Sequence, residues 1–315
     1  MATIPARATP IGSVSRVAMR SYRIVAEVPS IPLLMLSILV LAAVFAPVIA
    51  PHGKFTPVKP TSAQCQEKFG TATCPYVDYV PPFWSSTGTV DTPLGTDFLG
   101  RDVLSRLMHG ARISLVVALT GTLFAGAIGT LLGVLAGYLG KWWDQIIMRV
   151  TDAWLTLPSL VFAILLSSVR GPGVWNVVLI LALVFWSRYS RAVRGEVLAL
   201  RERDFVRLAE INGIGKLTII FRHLIPNVMN TVMVLFSLQV GVAVIIEASL
   251  SFLGVGVPPP EPSWGLMMAQ ERDSLMEGKW WLAVFPGICI TMLVLSANML
   301  GDWLRVRLDP QLRNR

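Results

Sequence analysis

Gly213, Gly215 and Lys216 are the residues of this sequence that first suggest chemistry, because glycine-rich loops ending in lysine bind phosphate groups. A nucleotide-binding loop of this kind needs the spacing G-x-x-x-x-G-K-[ST], in which backbone amides surround the phosphates and a hydroxyl reaches magnesium. Here the upstream glycine position holds Glu210 and the hydroxyl position holds Leu217. The stretch is therefore not predicted to bind a nucleotide, and its glycines need another explanation.

Thiols, imidazoles and nucleophiles are the other groups that do chemistry in proteins. The three histidines lie in separate regions and form no cysteine–histidine cluster with metal-ligand spacing, so no metal site is predicted. A nucleophile with a nearby base is not grouped anywhere either, and the chain is not predicted to be an enzyme. Cys65 and Cys74 lie in a long outer loop and form either a disulfide, which we favour, or two free thiols. Cys289 is interpreted as a small packing residue.

The composition indicates what these residues are embedded in. Hydrophobic residues make up 54% of the chain, charged residues only 15%, and the mean hydropathy is +0.62, which is too apolar for an ordinary soluble domain. A hydrocarbon core of about 30 Å needs about 20 apolar helical residues. Six segments approach or reach that length: 31–50, 112–139, 150–169, 174–190, 228–254 and 281–303. Their continuous hydrophobicity favours helices over barrel strands, so we predict an all-α integral membrane protein with six transmembrane helices.

The distribution of basic residues predicts how the chain is oriented. With the N-terminus inside, 18 of the 27 Lys and Arg residues fall on the inner side, which places both termini in the cytoplasm. The net charge of +8 is then explained by topology, and no nucleic-acid partner is needed. The first span is interpreted as a retained anchor, because it is longer than the apolar core of a cleaved signal peptide. The predicted organisation is a cytoplasmic segment 1–30, a first span 31–50, an extracytoplasmic loop 51–111, a five-helix core 112–303 and a cytoplasmic tail 304–315.

A cytoplasmic loop at 191–226 interrupts the core and contains the glycines considered above. Residues 202–212 are predicted to form a short amphipathic helix, with Phe205, Leu208 and Ala209 among its apolar positions. Gly213 and Gly215 suit the turn at its end, because a positive φ is cheap for glycine. The helix either lies on the lipid headgroups, held by arginines, or is presented to a soluble partner.

The outer segment 93–115 alternates charged and apolar residues, which predicts an amphipathic helix at the outer interface. Asp97 with Arg101, and Asp102 with Arg106, have the i, i+4 spacing of helical ion pairs, each contributing about 0.3–0.5 kcal/mol. These four residues are either a solvated face that stabilises the loop, or a gate or docking surface on the outer side.

Glu247 is the acidic residue placed furthest inside a predicted span. A charge at the centre of a bilayer costs about 2.5–3.5 kcal/mol on insertion scales, so this side chain is expected to face protein or water. It either contacts a translocation path or braces the outer turn before the three consecutive prolines at 258–260, and we favour the brace.

The cytoplasmic loop resembles the "EAA" motif of ATP-binding-cassette importer permeases, whose pattern is E-A-A-x-x-x-G followed by a hydrophobic–proline pair. Ala209, Gly213 and Pro226 match that pattern at the right spacing, whereas Arg207 and Leu208 replace the glutamate and the first alanine. Segments 93–115, 148–166, 247–265 and the C-terminus GDWLRVRLDPQLR are similar to the dipeptide, oligopeptide and nickel permeases of this family, in particular to their second, C-type subunit. The similarity runs from about Arg23 to the end, except for 52–90.

The resemblance implies a fold, partners and roles. It implies the type I importer permease fold in a bacterial inner membrane, with a coupling helix that contacts an ATP-binding subunit. The residues expected at that contact are Arg201, Arg203, Phe205, Leu208, Ala209 and Gly213. This chain is expected to bind no cofactor, because ATP and magnesium belong to one or two partner ATPase subunits. A second, homologous permease, an extracytoplasmic substrate-binding protein and membrane lipid complete the expected partners.

The expected cargo is a dipeptide or oligopeptide. The same architecture with nickel chelates, glutathione or another small solute is one alternative. An ion-coupled secondary transporter is another, although the sequence shows neither a clear internal repeat nor many acidic residues within spans.

Overall fold

The computed structural model describes residues 29–308 apart from 61, 72 and 75. The predicted cytoplasmic segment 1–30 therefore lies almost wholly outside the described residues, as do positions 309–315 of the predicted tail. Within the described ranges the regular structure is helical. The helices are α1 Ser30–Ile49, α2 Ser62–Phe69, α3 Val103–Leu139, α4 Lys141–Thr156, α5 Ser159–Arg170, α6 Val174–Arg201, α7 Asp204–Ile211, α8 Lys216–Ile219, α9 Ile225–Phe252, α10 Trp264–Gln270, α11 Arg272–Met276 and α12 Trp281–Leu308, with a π-helical turn Ile220–Leu224 joining α8 to α9.

The membrane-spanning helices confirm the prediction of a multi-pass helical protein. Among the described residues, five helical stretches are long and apolar enough to cross a membrane: α1, α3, α6, the continuous α8–α9 helix and α12. A sixth crossing is possible only if the bent pair α4 and α5 counts as one span.

The predicted span at 150–169 is not one continuous helix. Helices α4 and α5 meet at an angle of 93°. The cause is local, because Pro158 disfavours helical backbone at the preceding residue, and Leu157 is extended with ψ 129°. This part of the chain is therefore a broken or re-entrant element, and Leu157 at its break is 44% exposed.

Two spans are longer than the apolar runs that predicted them. Helix α3 begins at Val103 rather than at 112, and α6 continues to Arg201 rather than ending at 190. At about 1.5 Å per residue α3 is about 55 Å long, well beyond a hydrocarbon core of about 30 Å. Hydrophobicity marks the part of a helix that lies in lipid, whereas helical hydrogen bonding continues into the polar regions on either side.

The centre of the bundle is a close contact between α3 and α6. Glycines on α3 make it possible, because a Cβ added at Gly121, Gly129, Gly133 or Gly137 would lie 2.3–2.8 Å from atoms of α6. At Gly129 the nearest atom is the backbone oxygen of Trp186, at 2.3 Å. Small residues of this kind let membrane helices approach backbone to backbone, where van der Waals contact replaces the hydrophobic effect.

The outer loop contains internal cross-links and one ion pair to a segment beyond it. Cys65, at the centre of α2, forms a disulfide with Cys74, which is the alternative we favoured over two free thiols. The Lys68 ammonium lies 2.6 Å from a carboxylate oxygen of Asp78 just beyond that loop. The Lys54 ammonium pairs with Glu261 at 2.8 Å and connects the loop to the segment after α9.

Candidate functional site

Helix α7, in the loop between α6 and α8, has one buried face and one exposed apolar face. Val206 is fully buried and Ala209 is 5% exposed, and both belong to an apolar cluster formed by the inner ends of α3, α6 and α9. On the opposite side Phe205 is 41% exposed, Leu208 56% and Ile211 79%. A short helix that packs against the bundle therefore exposes large apolar side chains, which is typical of a surface that contacts another molecule.

The exposed apolar surface extends beyond the residues that the sequence analysis singled out. Ile211, Ile214 and Leu217 were not among the predicted contacts, yet they are 79%, 38% and 70% exposed. For Ile211 the spacing of three residues from Leu208 is the signal that predicts a shared helical face, whereas Ile214 and Leu217 lie beyond the turn at Gly213. We call the surface formed by Phe205, Leu208, Ile211, Ile214 and Leu217 the inner apolar patch.

Gly213 ends α7 and turns the chain back toward the membrane. Its φ of +72° lies in the left-handed region that favours glycine, and Ile214 donates its backbone N–H to Ala209 O at 3.0 Å. Gly215 has an ordinary φ of −61°, so only one of the two predicted turn glycines is needed for its conformation. The glycines thus serve a helix end that leads directly into α8 and α9.

Basic residues flank the patch. Arg201 ends α6 and Arg203 precedes α7, and both are exposed. Arg207 points away from the bundle and pairs with Glu202. Of the six residues predicted for this contact, five are exposed, among them Gly213, which also shapes the end of the helix, and only Ala209 is buried.

The four charged residues predicted in the outer segment do not form an amphipathic helix, and that prediction is wrong. Asp97 accepts the backbone N–H groups of Leu99 and Arg101 at 2.9 Å each, which holds residues 97–101 in a turn. Asp102 caps α3 by accepting the N–H of Ser105 at 2.9 Å, so the helix begins only at Val103. Carboxylates that accept hydrogen bonds from backbone N–H groups compete with helix formation, and here residues 97–101 form a turn instead of a helix.

Of the two predicted ion pairs, one is present and the other has a different partner. Asp97 does pair with Arg101, at 2.7 Å, but Arg106 pairs with Asp97 rather than with Asp102. All four side chains are buried, with exposures of 0–7%. They therefore form neither a solvated face nor a surface on which another protein would dock directly.

This buried group fastens the outer turn to α10 and α11. The Arg106 guanidinium donates to Gln270 Oε1 at 2.8 Å, and the backbone N–H of Phe98 donates to Glu271 Oε1 at 3.2 Å. Burial raises the pKa of Glu271 above its ordinary value, while the N–H of Phe98 opposes that shift. We call Asp97, Arg101, Arg106 and Glu271 the outer charge cluster.

The outer charge cluster supports a stability prediction. Replacing Asp97 by asparagine removes the charge that compensates two buried arginines and is expected to lower the free energy of unfolding by about 3 kcal/mol. Glu271→Gln is the matched control and should cost clearly less, because the raised pKa of Glu271 means that burial already disfavours its charged form. Thermal unfolding of the detergent-solubilised permease at neutral pH measures both, and equal losses would contradict the assignment of Asp97 as the centre of the cluster.

Glu247 is fully buried near the outer end of α9. Its carboxylate accepts hydrogen bonds from Ser114 on α3 at 3.0 Å and from Ser251 at 2.8 Å. The Ser251 hydroxyl in turn accepts the backbone N–H of Val257 in the turn that follows α9, at 3.1 Å. These contacts favour the brace over the path contact, since the side chain reaches no open space.

No group of three or more His, Cys, Asp or Glu side chains suited to a metal ion occurs in the part of the chain that the structure describes.

Comparison with known proteins agrees with this architecture. The sequence profile of the family "Binding-protein-dependent transport system inner membrane component" matches residues 129–314, which run from the middle of α3 to the C-terminus. The di/tripeptide transport system permease protein DppC of Pseudomonas aeruginosa is 39% identical over 282 residues, covering 90% of this chain and 88% of the relative.

Two further relatives are named for different cargoes. A putative peptide permease protein of Brucella suis is 43% identical over 218 residues, covering 69% of this chain and 72% of the relative. The glutathione transport system permease protein GsiD of Pectobacterium atrosepticum is 41% identical over 221 residues, covering 70% and 73%. The chain therefore belongs to the family of binding-protein-dependent transport system inner membrane components, and is a multi-pass permease of an ATP-binding-cassette importer.

Proposed function

We propose that this chain is one of two permease subunits of an importer for dipeptides and oligopeptides, driven by ATP hydrolysis on separate subunits. Support for the cargo comes from the relatives that are named as di/tripeptide and peptide permeases. Support for the mechanism comes from one observation in the structure: the short helix α7 is anchored in the bundle and exposes apolar side chains on its other face.

The inner apolar patch is the proposed contact with the ATPase subunit. The exposed side chains of Phe205 and Leu208 would insert into the partner, and Arg201 and Arg203 would add charged contacts at its edge. Because Val206 and Ala209 pack against the inner ends of α3, α6 and α9, a displacement of α7 would move these spans together. Closure of the ATPase subunits would shift the permease between inward-open and outward-open states only through such a difference in contacts.

The outer side is proposed to receive a substrate-binding protein, with both termini of the permease in the cytoplasm. The outer charge cluster would act indirectly in this process, by holding the turn at 97–101 against α10 and α11 beneath the docking surface. Glu247 is proposed to brace the neighbouring turn after α9. A second, homologous permease would supply the remaining walls of the pathway, because five or six crossings are too few to enclose a peptide.

Reconstitution tests this proposal. The assembly of this permease, its partner permease, its ATPases and its binding protein is placed in liposomes, and uptake of a radiolabelled tripeptide is measured. Uptake should require both ATP on the ATPase side and the binding protein. Uptake that is driven by an ion gradient, without ATPase subunits, would instead identify a secondary transporter.

Competition in the same liposomes identifies the cargo. Unlabelled dipeptides and tripeptides are expected to suppress uptake at lower concentrations than glutathione does. Preferential competition by glutathione or by a nickel chelate would replace peptides as the cargo while leaving the importer assignment intact.

A further inference from the structure

Arg188 is a cation inside a membrane-spanning helix that lacks a carboxylate partner. It lies about 21 Å along α6 from Val174, and its side chain is half-buried. Its guanidinium donates from Nη1 to Gln239 Oε1 at 3.1 Å and from Nη2 to Ser159 Oγ at 3.2 Å. Both partners are neutral, and among the described residues no carboxylate lies within ion-pair distance of Arg188.

The next two arginines along α6 show that this is unusual for the helix. Arg191 pairs with Asp152, and Arg194 forms a two-pronged pair with Asp144 at 2.6 Å for each contact. Both carboxylates come from α4, which runs beside this part of α6. Helix α4 thus compensates the two arginines nearer the cytoplasm and leaves the third, deeper one without a negative charge.

Arg188 lines a pocket at the break between α4 and α5. The pocket is small and partly open to the outside, and Trp154, Leu157, Ser159 and Phe162 form walls of it. The Trp154 ring is held in place, because its Nε1 donates to Leu183 O at 2.6 Å and its face meets the Phe162 ring edge-on at a centroid distance of 5.0 Å. The result is a rigid aromatic wall beside an uncompensated cation.

The broken helix adds to the attraction for an anion. Ser159 is the first residue of α5, a helix of 12 residues, and the first turn of a helix leaves its N–H groups without intrahelical acceptors. The start of a helix also carries a partial positive charge. The Arg188 guanidinium and the beginning of α5 therefore meet in the same pocket, joined by the hydrogen bond to Ser159.

A guanidinium with unused donors in a low-dielectric site fits a planar anion with two oxygens, which is the geometry of a carboxylate. Every linear peptide with a free C-terminus carries one such group whatever its side chains are. We propose that Arg188, together with Ser159, binds the C-terminal carboxylate of the peptide as it passes between the spans, while Gln239 orients the guanidinium. Trp154 and Phe162 offer apolar contact to peptide side chains of varied shape. This inference rests on the proposed function, because it assigns a subsite for the proposed cargo.

The test compares a tripeptide that has a free C-terminus with its C-terminal amide. The complete assembly is reconstituted in liposomes, and a peptide pair is chosen for which calorimetry shows that the binding protein binds both forms. Arg188→Gln is expected to reduce uptake of the free peptide roughly tenfold, the worth of a hydrogen bond to a charged group, and to leave uptake of the amide nearly unchanged. The quantity compared is the uptake of the free peptide divided by the uptake of its amide. Because the same binding protein serves the wild type and the variant, its own preference affects both ratios equally and cancels in the comparison.

Two matched variants separate recognition from folding. Arg188→Lys keeps the charge without the fork of donors and should recover part of the preference for the free peptide. Arg191→Gln removes an exposed charge one turn along the same helix and should leave the ratio unchanged. The amount of assembled complex is measured by size-exclusion chromatography for each variant.

Three results would overturn the inference. An Arg188→Gln variant that lowers uptake of both peptides equally, or of neither, would show that Arg188 does not bind the C-terminal carboxylate. A loss that is equal for both peptides and that abolishes a dependence on the phosphatidylglycerol content of the liposomes would assign the cation to a lipid headgroup. A wild-type assembly that transports no peptide would overturn the proposed function and this subsite together. If the wild type transports peptide but Arg188→Gln leaves the ratio of free-peptide to amide uptake unchanged, only the subsite is overturned.

Discussion

Replacing Phe205 and Leu208 together by aspartate is expected to abolish ATP-driven uptake while leaving the permease folded in the membrane. Both side chains are largely exposed, at 41% and 56%, so the free subunit tolerates the change. In the proposed complex two carboxylates would be buried without partners against the ATPase. Apolar hot-spot residues contribute about 2 kcal/mol each or more, so the contact should weaken roughly 1,000-fold.

Copurification of the ATPase subunits with tagged permease measures the contact, and peptide uptake in liposomes measures its consequence. The matched control is the double variant Phe205→Leu with Leu208→Met, which keeps an apolar surface and should lose far less of both. Full uptake by the aspartate double variant would show that the inner apolar patch does not contact the ATPase.

Gly129→Leu is expected to prevent stable folding of the permease. A Cβ at position 129 would lie 2.3 Å from the backbone oxygen of Trp186 and 2.6 Å from Cβ of Tyr189. Neither atom belongs to the flexible end of a side chain, so α3 and α6 would have to separate along their whole contact. Overpacking costs about 1–3 kcal/mol when side chains alone rearrange, and more when backbones must move apart.

Gly195→Leu is the control for this substitution. Gly195 lies on α6, one of the same two helices, and a Cβ there meets no atom within 4 Å. The yield of monodisperse protein after detergent extraction and its thermal unfolding temperature should fall sharply for Gly129→Leu and hardly change for Gly195→Leu. Similar behaviour of the two variants would contradict the close packing of α3 on α6.

Features that depend on neighbours in the sequence were predictable. The apolar runs predict membrane helices, because lipid forces each spanning segment to satisfy its own backbone hydrogen bonds. The helix at 202–212 was predictable from the spacing of its apolar residues and from Gly213, and the structure contains α7 within that range. The break at Pro158 was predictable in principle, since proline restricts the residue before it, but the hydrophobicity of the run concealed it.

Features that depend on distant residues were not predictable. Asp97 and Arg101 have helical spacing, yet the carboxylate is held in a turn by two backbone amides and by Arg106, and the turn is fastened to Glu271 far along the chain. The i, i+4 pattern does not contain that information. Local spacing predicted an exposed face where the folded chain buries a charge cluster.

Arg188 shows most clearly the difference between what local sequence predicts and what distant residues decide. The sequence by itself determined that this chain lies in a membrane, that a short amphipathic helix forms within 202–212 and where its basic residues concentrate, because each of these follows from composition or from short-range spacing. Only the tertiary structure decided which charges are compensated. Helix α4 brings carboxylates to Arg191 and Arg194 but only Ser159 of α5 and Gln239 of α9 reach Arg188, since electrostatic pairing depends on distances in space between helices that are far apart in the sequence.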